Sequence, residues 1–257
     1  MKKLIVLCIL LALVGCSKSD PVEKYGSDVL NVFNWGEYIG EDVIANFEEE
    51  YGVKVNYSLF ESNEIMYTKL LSGNMIERLM EEELIQPLDY SYMTNLDDLN
   101  PEVLALRDEY DMDGVYSIPY FWGSVGLVYN KNNVDVNKLE ESGWNILRDV
   151  EYSNRIFMYD SERDSFMVAL KALGYSMNTE NMDEINKAYD WLCELHDTMN
   201  PAYVTDEVTD AMINNEKDIA VVYSGDAAFI ISQNDDMAYY VPKEGTNVWS
   251  DGFVIPS

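Results

Sequence analysis

The chain has 257 residues, 47 of them acidic and 17 basic, for a formal charge of −30 at pH 7. A surface of that sign repels nucleic acid and anionic headgroups and steers small cations toward itself, so polyanion-binding functions are set aside first. One histidine (His196) and three cysteines (Cys8, Cys16, Cys193) offer little material for a transition-metal centre or a disulfide framework.

Lys2 and Lys3 precede an apolar run, Leu4 to Val14, too short to span a bilayer, and Leu13-Val14-Gly15-Cys16 follows. An apolar residue, a small one and then Cys resembles a bacterial lipobox. Residues 1–15 are therefore expected to be a lipoprotein signal peptide, with cleavage before Cys16 and a diacylglyceryl group on its sulfur. Residues 16–28 read as lipid anchor and polar tether. Cys193 is then the sole cysteine of the mature chain and reads as a small buried hydrophobe on a helix.

The next elements alternate. Val29–Trp35 is strand-like, 42–50 helical with Val43, Ile44 and Phe47 on one face, and Val53–Phe60 strand-like again. Ser62 caps a helix to Gly73, which completes a βαβα opening. In Tyr116–Gly123, Pro119 and Gly123 interrupt an aromatic run, which argues against one central strand; a regular strand, Val125–Tyr129, follows. Residues 130–143 are polar and turn-rich. Beyond them come a strand (Arg155–Tyr159), a helix opened by Ser161 and ending at Gly174, and a longer helix, Met182–Met199. A strand (Ile219–Tyr223), a helix (Asp226–Ser232) and strands at Tyr239–Val241 and Asn247–Ile255 complete the pattern, which is α/β.

Chemistry-bearing side chains gather at strand ends and helix starts, where α/β proteins bind ligands. Trp35, Glu37 and Tyr38 follow the first strand; Asp160, Glu162 and Asp164 follow the strand ending at Tyr159; Tyr223 precedes Ser224-Gly225-Asp226; Trp249 and Asp251 lie on the last strand. Indoles beside carboxylates suit an extended organic cation, since rings cover its methylenes and acids neutralise its ammonium ends. Each feature also has a plain reading: a tryptophan as core anchor, and Asp160, Glu162, Asp164 or Asp226 as helix caps. Cys193 and His196 could meet at i, i+3, but a shared helix leaves no room for substrate. No phosphate-binding, zinc-protease, thioredoxin-like or serine-hydrolase motif is present, and no cofactor is expected.

Six stretches carry a family resemblance: Asn34-Trp35-Gly36-Glu37-Tyr38; Glu61-Ser62-Asn63-Glu64 with Met66-Tyr67; Ser117 to Gly123; Ala169-Leu170 with Leu173 to Ser176; Ser224 to Ala227; and Pro242 to Gly245 with Trp249, Asp251, Ile255 and Pro256. In order and spacing they resemble the spermidine/putrescine-binding proteins, the extracytoplasmic substrate-binding subunits of polyamine ABC transporters. The resemblance implies a two-lobe periplasmic binding protein-like fold of type II that closes on its ligand. The lobes would span 29–130 and 131–248, with 249–257 crossing back to the first. It further implies that Trp35, Glu37 and Tyr38 wall the ligand channel and that Asp164 meets an ammonium. Asp160 or Glu162 would replace a family acid that aligns with Ser161. Thr205 would supply a small hydroxyl, Tyr223 would stand where Trp is frequent, and Trp249 and Asp251 would be the aromatic and the amine-binding acid. Two departures are expected to matter: a family strand is lacking between Gly73 and Met75, and a C-terminal return segment is lacking after Ser257.

The function so implied is capture of spermidine or putrescine by a protein anchored through Cys16 to the outer face of the bacterial cytoplasmic membrane. Delivery would be to ABC permease subunits, with no enzymatic step and no nucleic acid partner. The alternatives are a related receptor for another small cation or solute and, from a different class, a carboxylate-dependent surface hydrolase.

Overall fold

The computed structural model describes residues 20–36, 38–60 and 76–257. The signal peptide, Cys16, Glu37, the helix expected from Ser62 and the junction at Gly73-Asn74-Met75 lie outside the described residues. The chain divides into two compact units, Met1–Gln86 with Ile255–Ser257 and Pro87–Val254.

In the first unit, helix α1 (Pro21–Tyr25) begins inside the segment expected to be a plain tether. The Asp20 carboxylate accepts from the Val22 N–H at 3.0 Å, and Pro21 sits in the first turn, where its missing N–H costs nothing. Strand β1 (Val29–Trp35) pairs in parallel with β2 (Lys54–Phe60), in register from Val29–Lys54 to Trp35–Phe60. Between them runs α2 (Val43–Tyr51), the crossover that a parallel pair requires. Gly52, at φ 72°, ends α2 in the left-handed region. The Glu48 side chain then accepts from the Val55 N–H at 2.7 Å, which ties the helix to the start of β2. Val43 is exposed, so the expected apolar face of α2 reduces to the half-buried Ile44 and Phe47. Helix α3 (Ile76–Glu81) leads into β3 (Ile85–Gln86), which pairs antiparallel with the end of the last strand, Ile85 to Pro256 and Gln86 to Ile255.

The second unit holds most of the buried core. After the short helix α4 (Pro101–Arg107), the buried Asp111 carboxylate accepts from the N–H groups of Val115, Tyr116 and Ser117 and from the Ser117 hydroxyl. That junction launches β4, which runs from Ser117 to Asn130 as one strand of 14 residues. The aromatic run therefore does not lie outside the strand. Its irregularity is absorbed by a register shift between Pro119 and Trp122, the usual way a sheet accommodates such a residue.

Helix α5 (Val136–Ser142) precedes β5 (Ile156–Tyr159), α6 (Glu162–Ala172), α7 (Met182–Met199), β6 (Ala202–Val204), α8 (Val208–Ile213), β7 (Ile219–Tyr223), α9 (Ser224–Gln233), β8 (Met237–Tyr240) and β9 (Val248–Pro256). Within this unit the strand order is β9-β4-β7-β5-β6, with β8 beside β4. Strand β7 is antiparallel to β4 and parallel to β5, which is parallel to β6. Alternation sends Leu127, Ile156, Met158, Ile219 and Val221 into one core with Val168, Trp191, Leu195 and Met199 of α6 and α7. It sends Val128, Phe157, Ala220 and Val222 into another with Val208, Met212, Ala227 and Ile230 of α8 and α9. Helices on both faces of a sheet make this unit α/β, and they leave the strand ends and helix starts free to build a site.

Candidate functional site

In the first unit the end of β1 is held by its neighbour strand. The Asn34 amide, buried, donates to the Tyr57 hydroxyl at 2.9 Å, and that hydroxyl donates to the Trp35 carbonyl at 3.4 Å. Trp35 and Tyr38 are both half-buried, with ring centroids 6.4 Å apart and planes inclined by 53°. The predicted pair of rings is thus brought together, on a strand end fixed by Tyr57.

In the second unit the constellation centres on Asp164. It lies in the first turn of α6, whose cap is Ser161, the hydroxyl accepting from the Asp164 N–H at 3.3 Å. Its side chain does not serve that cap. The residue is only 7% exposed, and its two oxygens receive the Tyr223 hydroxyl at 2.7 Å and the Asn247 amide at 3.2 Å. Tyr223, at the end of β7, stands edge-on to Trp249 (centroids 5.8 Å, 76°) and packs against Tyr159 at 4.6 Å. Trp249 can lie there because its β4 partner is Gly123: a Cβ at Gly123 would come within 2.5 Å of the indole and 2.7 Å of the Ser224 hydroxyl. The Trp249 indole N–H is buried and finds no acceptor among the described residues, so this ring offers its faces rather than a hydrogen bond.

The electrostatics are one-sided. Burial pushes the Tyr159 hydroxyl far above its ordinary pKa, and the carboxylates of Asp226, Asp206, Asp164 and Glu207 push it further, so it stays neutral. Asp164 lies in the first turn of α6 and Asp226 in that of α9, and Asp206 and Glu207 immediately precede α8.

The remaining expected residues are placed differently from one another. Asp251, half-buried on β9, lies two residues from Trp249 and so on the same face of the strand. Burial raises the pKa of the nearby Tyr110, with the Asp251 carboxylate adding to it. Thr205 donates through both its N–H and its hydroxyl to Glu207 at 3.1 and 2.8 Å, so its hydroxyl proton is engaged in the turn before α8. Asp160 is exposed and opens onto a depression of about 380 Å³ between the start of α6, α7 and β6. Burial and the Asp160 carboxylate raise the Tyr203 hydroxyl there.

Cys193 and His196 line that same depression without pairing. Cys193 is half-buried, not enclosed as expected, and the Tyr189 hydroxyl beside it is pushed up by their hydrogen bond. The His196 ring lies 5.9 Å from that of Tyr203. Among the described residues no group of three or more His, Cys, Asp or Glu side chains could hold a metal ion.

Sequence reasoning missed Asn247, Tyr159, Asp206 and Glu207 and favoured a cap over a ligand contact for Asp226. One of these had a signal: Asn247, Trp249 and Asp251 recur every second residue, the spacing of one strand face. The others meet through the sheet's parallel ordering, which no local pattern displays.

The family model for bacterial extracellular solute-binding proteins matches residues 63–257. The spermidine/putrescine-binding periplasmic protein of Salmonella typhimurium is 32% identical over 243 residues, covering 90% of this chain and 68% of that one. Among solved structures, a spermidine/putrescine ABC transporter substrate-binding protein of Streptococcus pneumoniae is 36% identical, with a TM-score of 0.71 over 90% of this chain and 73% of its own. A lipoprotein of Treponema pallidum is 27% identical, with a TM-score of 0.74 over 89% of this chain and 75% of its own.

Proposed function

The chain belongs to the bacterial extracellular solute-binding proteins and is related within them to the spermidine/putrescine-binding proteins, and from that premise we propose that it captures a polyamine outside the cytoplasm and hands it to an ABC permease. It is a binding protein and not an enzyme. The observation that carries the ligand class is the buried Asp164 carboxylate beside the rings of Tyr223 and Trp249, with Asp206, Glu207 and Asp226 around Tyr159. A carboxylate meets an ammonium, and the rings receive the methylenes between ammonium groups. The proposed ligand-binding set is Trp35, Glu37 and Tyr38 in the first unit, with Asp160, Asp164, Thr205, Tyr223, Trp249 and Asp251 in the second. The lobes proposed for closure are 29–130 and 131–248, with 249–257 as the crossing strand.

Isothermal calorimetry with putrescine and with spermidine tests the reading. Saturable one-to-one binding of at least one is expected; silence toward both, with heat from another solute, would leave a receptor of different specificity.

The membrane attachment is part of the same proposal, with cleavage before Cys16, lipid on its sulfur and residence on the outer face of the cytoplasmic membrane. The likeness to a lipoprotein supports it, and two acyl chains hold a protein to a bilayer durably. Cys16→Ala is expected to move the protein from the membrane fraction to the soluble one; unchanged partition would refute the anchor.

A further inference from the structure

We infer that Asn247 is a positioning residue for ligand binding, one that holds the Asp164 carboxylate in place while leaving its charge uncancelled. The inference rests on the polyamine reading. Asn247 is buried just ahead of β9. Its side-chain oxygen accepts from the Val125 N–H at 3.0 Å. A backbone N–H can only donate, so this bond decides which way the amide is turned and directs its NH₂ to Asp164 at 3.2 Å. Asn247 therefore relays from the backbone of β4 to the ligand-facing acid. Tyr223 supplies the second donor from β7, at 2.7 Å.

Both donors are neutral, and that is the point of the arrangement. A carboxylate with 7% exposure needs hydrogen bonds in place of the water it has lost. An arginine or lysine could provide them, but it would also neutralise the charge. Among the described residues no basic side chain forms an ion pair with Asp164. Asn247 and Tyr223 together use one lone pair on each oxygen, and the others remain available to an arriving ammonium. The acid is thus oriented before the ligand comes, and the cost of orienting it is met in folding.

A double-mutant cycle separates this role from a merely structural one. Putrescine and spermidine affinities are measured by calorimetry for wild type, Asn247→Ala, Asp164→Asn and the double variant, with melting temperatures alongside. Asn247→Ala is expected to weaken binding roughly 10- to 100-fold in the wild-type background, the scale of a hydrogen bond to a charged group. In the Asp164→Asn background the same change is expected to cost less than about threefold, because there is no charge left to position. Equal factors in both backgrounds, or wild-type affinity in Asn247→Ala, would overturn the inference. Should the alanine variant fail to fold, Asn247→Ser carries the same expectation. Tyr223→Phe, which removes the other donor but keeps the ring, should show the same dependence on Asp164. Absence of polyamine binding by wild type would be the failure of the underlying reading, and is distinct from equal factors.

Discussion

Trp249 and Asp251 sit two residues apart on β9 yet are expected to contribute unequally to binding. Removing one partner of a buried charge pair leaves the other uncompensated, whereas trimming an indole to a phenyl ring keeps most of the apolar contact. Asp251→Asn is therefore expected to weaken polyamine binding by roughly 100-fold or more, and Trp249→Phe by about tenfold or less. Calorimetric titration of the two variants decides it, and comparable, negligible losses would refute the assignment of these two residues to the ligand. At this scale the sequence announced the rings well: Trp35 and Tyr38 do lie together, and so do Tyr223 and Trp249. It could not separate acids that bind from acids that cap. Asp164 occupies a first helical turn, where a capping role is the simpler reading, yet its carboxylate is held by Tyr223 and Asn247, 59 and 83 residues away in sequence.

Among the elements, α7 was fully legible. Ala188, Trp191, Leu195 and Met199 form its buried stripe, Asn181 caps its start, and Asn200 ends it in the left-handed region. Strand β6 and helix α8 were not, because three and six residues are too short for either period to show. Strand β4 was misread because proline and glycine ordinarily stop a strand, whereas here the register shift against β9 tolerates both.

One element-level ion pair has a pH signature. Helix α5 is joined to the turn before β5 by Lys138, which meets both Asp149 and, at 2.7 Å, Glu151. Burial of the Asp149 carboxyl is the largest influence and tends to raise its pKa, but the Lys138 hydrogen bond, the Glu151 N–H and the Lys138 charge together outweigh it and hold it below the usual carboxylate value. A depressed folded-state pKa gives stability that is present above the unfolded value and is lost as pH falls through the folded one. Lys138→Met should therefore lower the melting temperature slightly near pH 7, and by progressively less as the pH falls below the ordinary carboxylate range toward the depressed folded value. A loss that persists in acid would show that the lysine stem, rather than its charge, supports the turn.

At the scale of the whole molecule, the charge of −30 predicts kinetics more than affinity. A cation approaching such a field is drawn in over distances that added salt shortens. Stopped-flow association with spermidine should slow about tenfold between roughly 0.01 and 0.15 M monovalent salt, with dissociation changing much less. A salt-independent association rate would mean that the acids act only at contact. Strand β9 has a consequence of another kind. Its last residues complete the pairing of β3, and Gln86 and Pro256 lie 170 residues apart. At about 5 to 20 residues per second of synthesis, β3 waits roughly 10 to 30 s for its partner to be made. Until Ile255 and Pro256 have been made, the edge of β3 that they cover stays open, so this pairing is a late event in the life of the nascent chain.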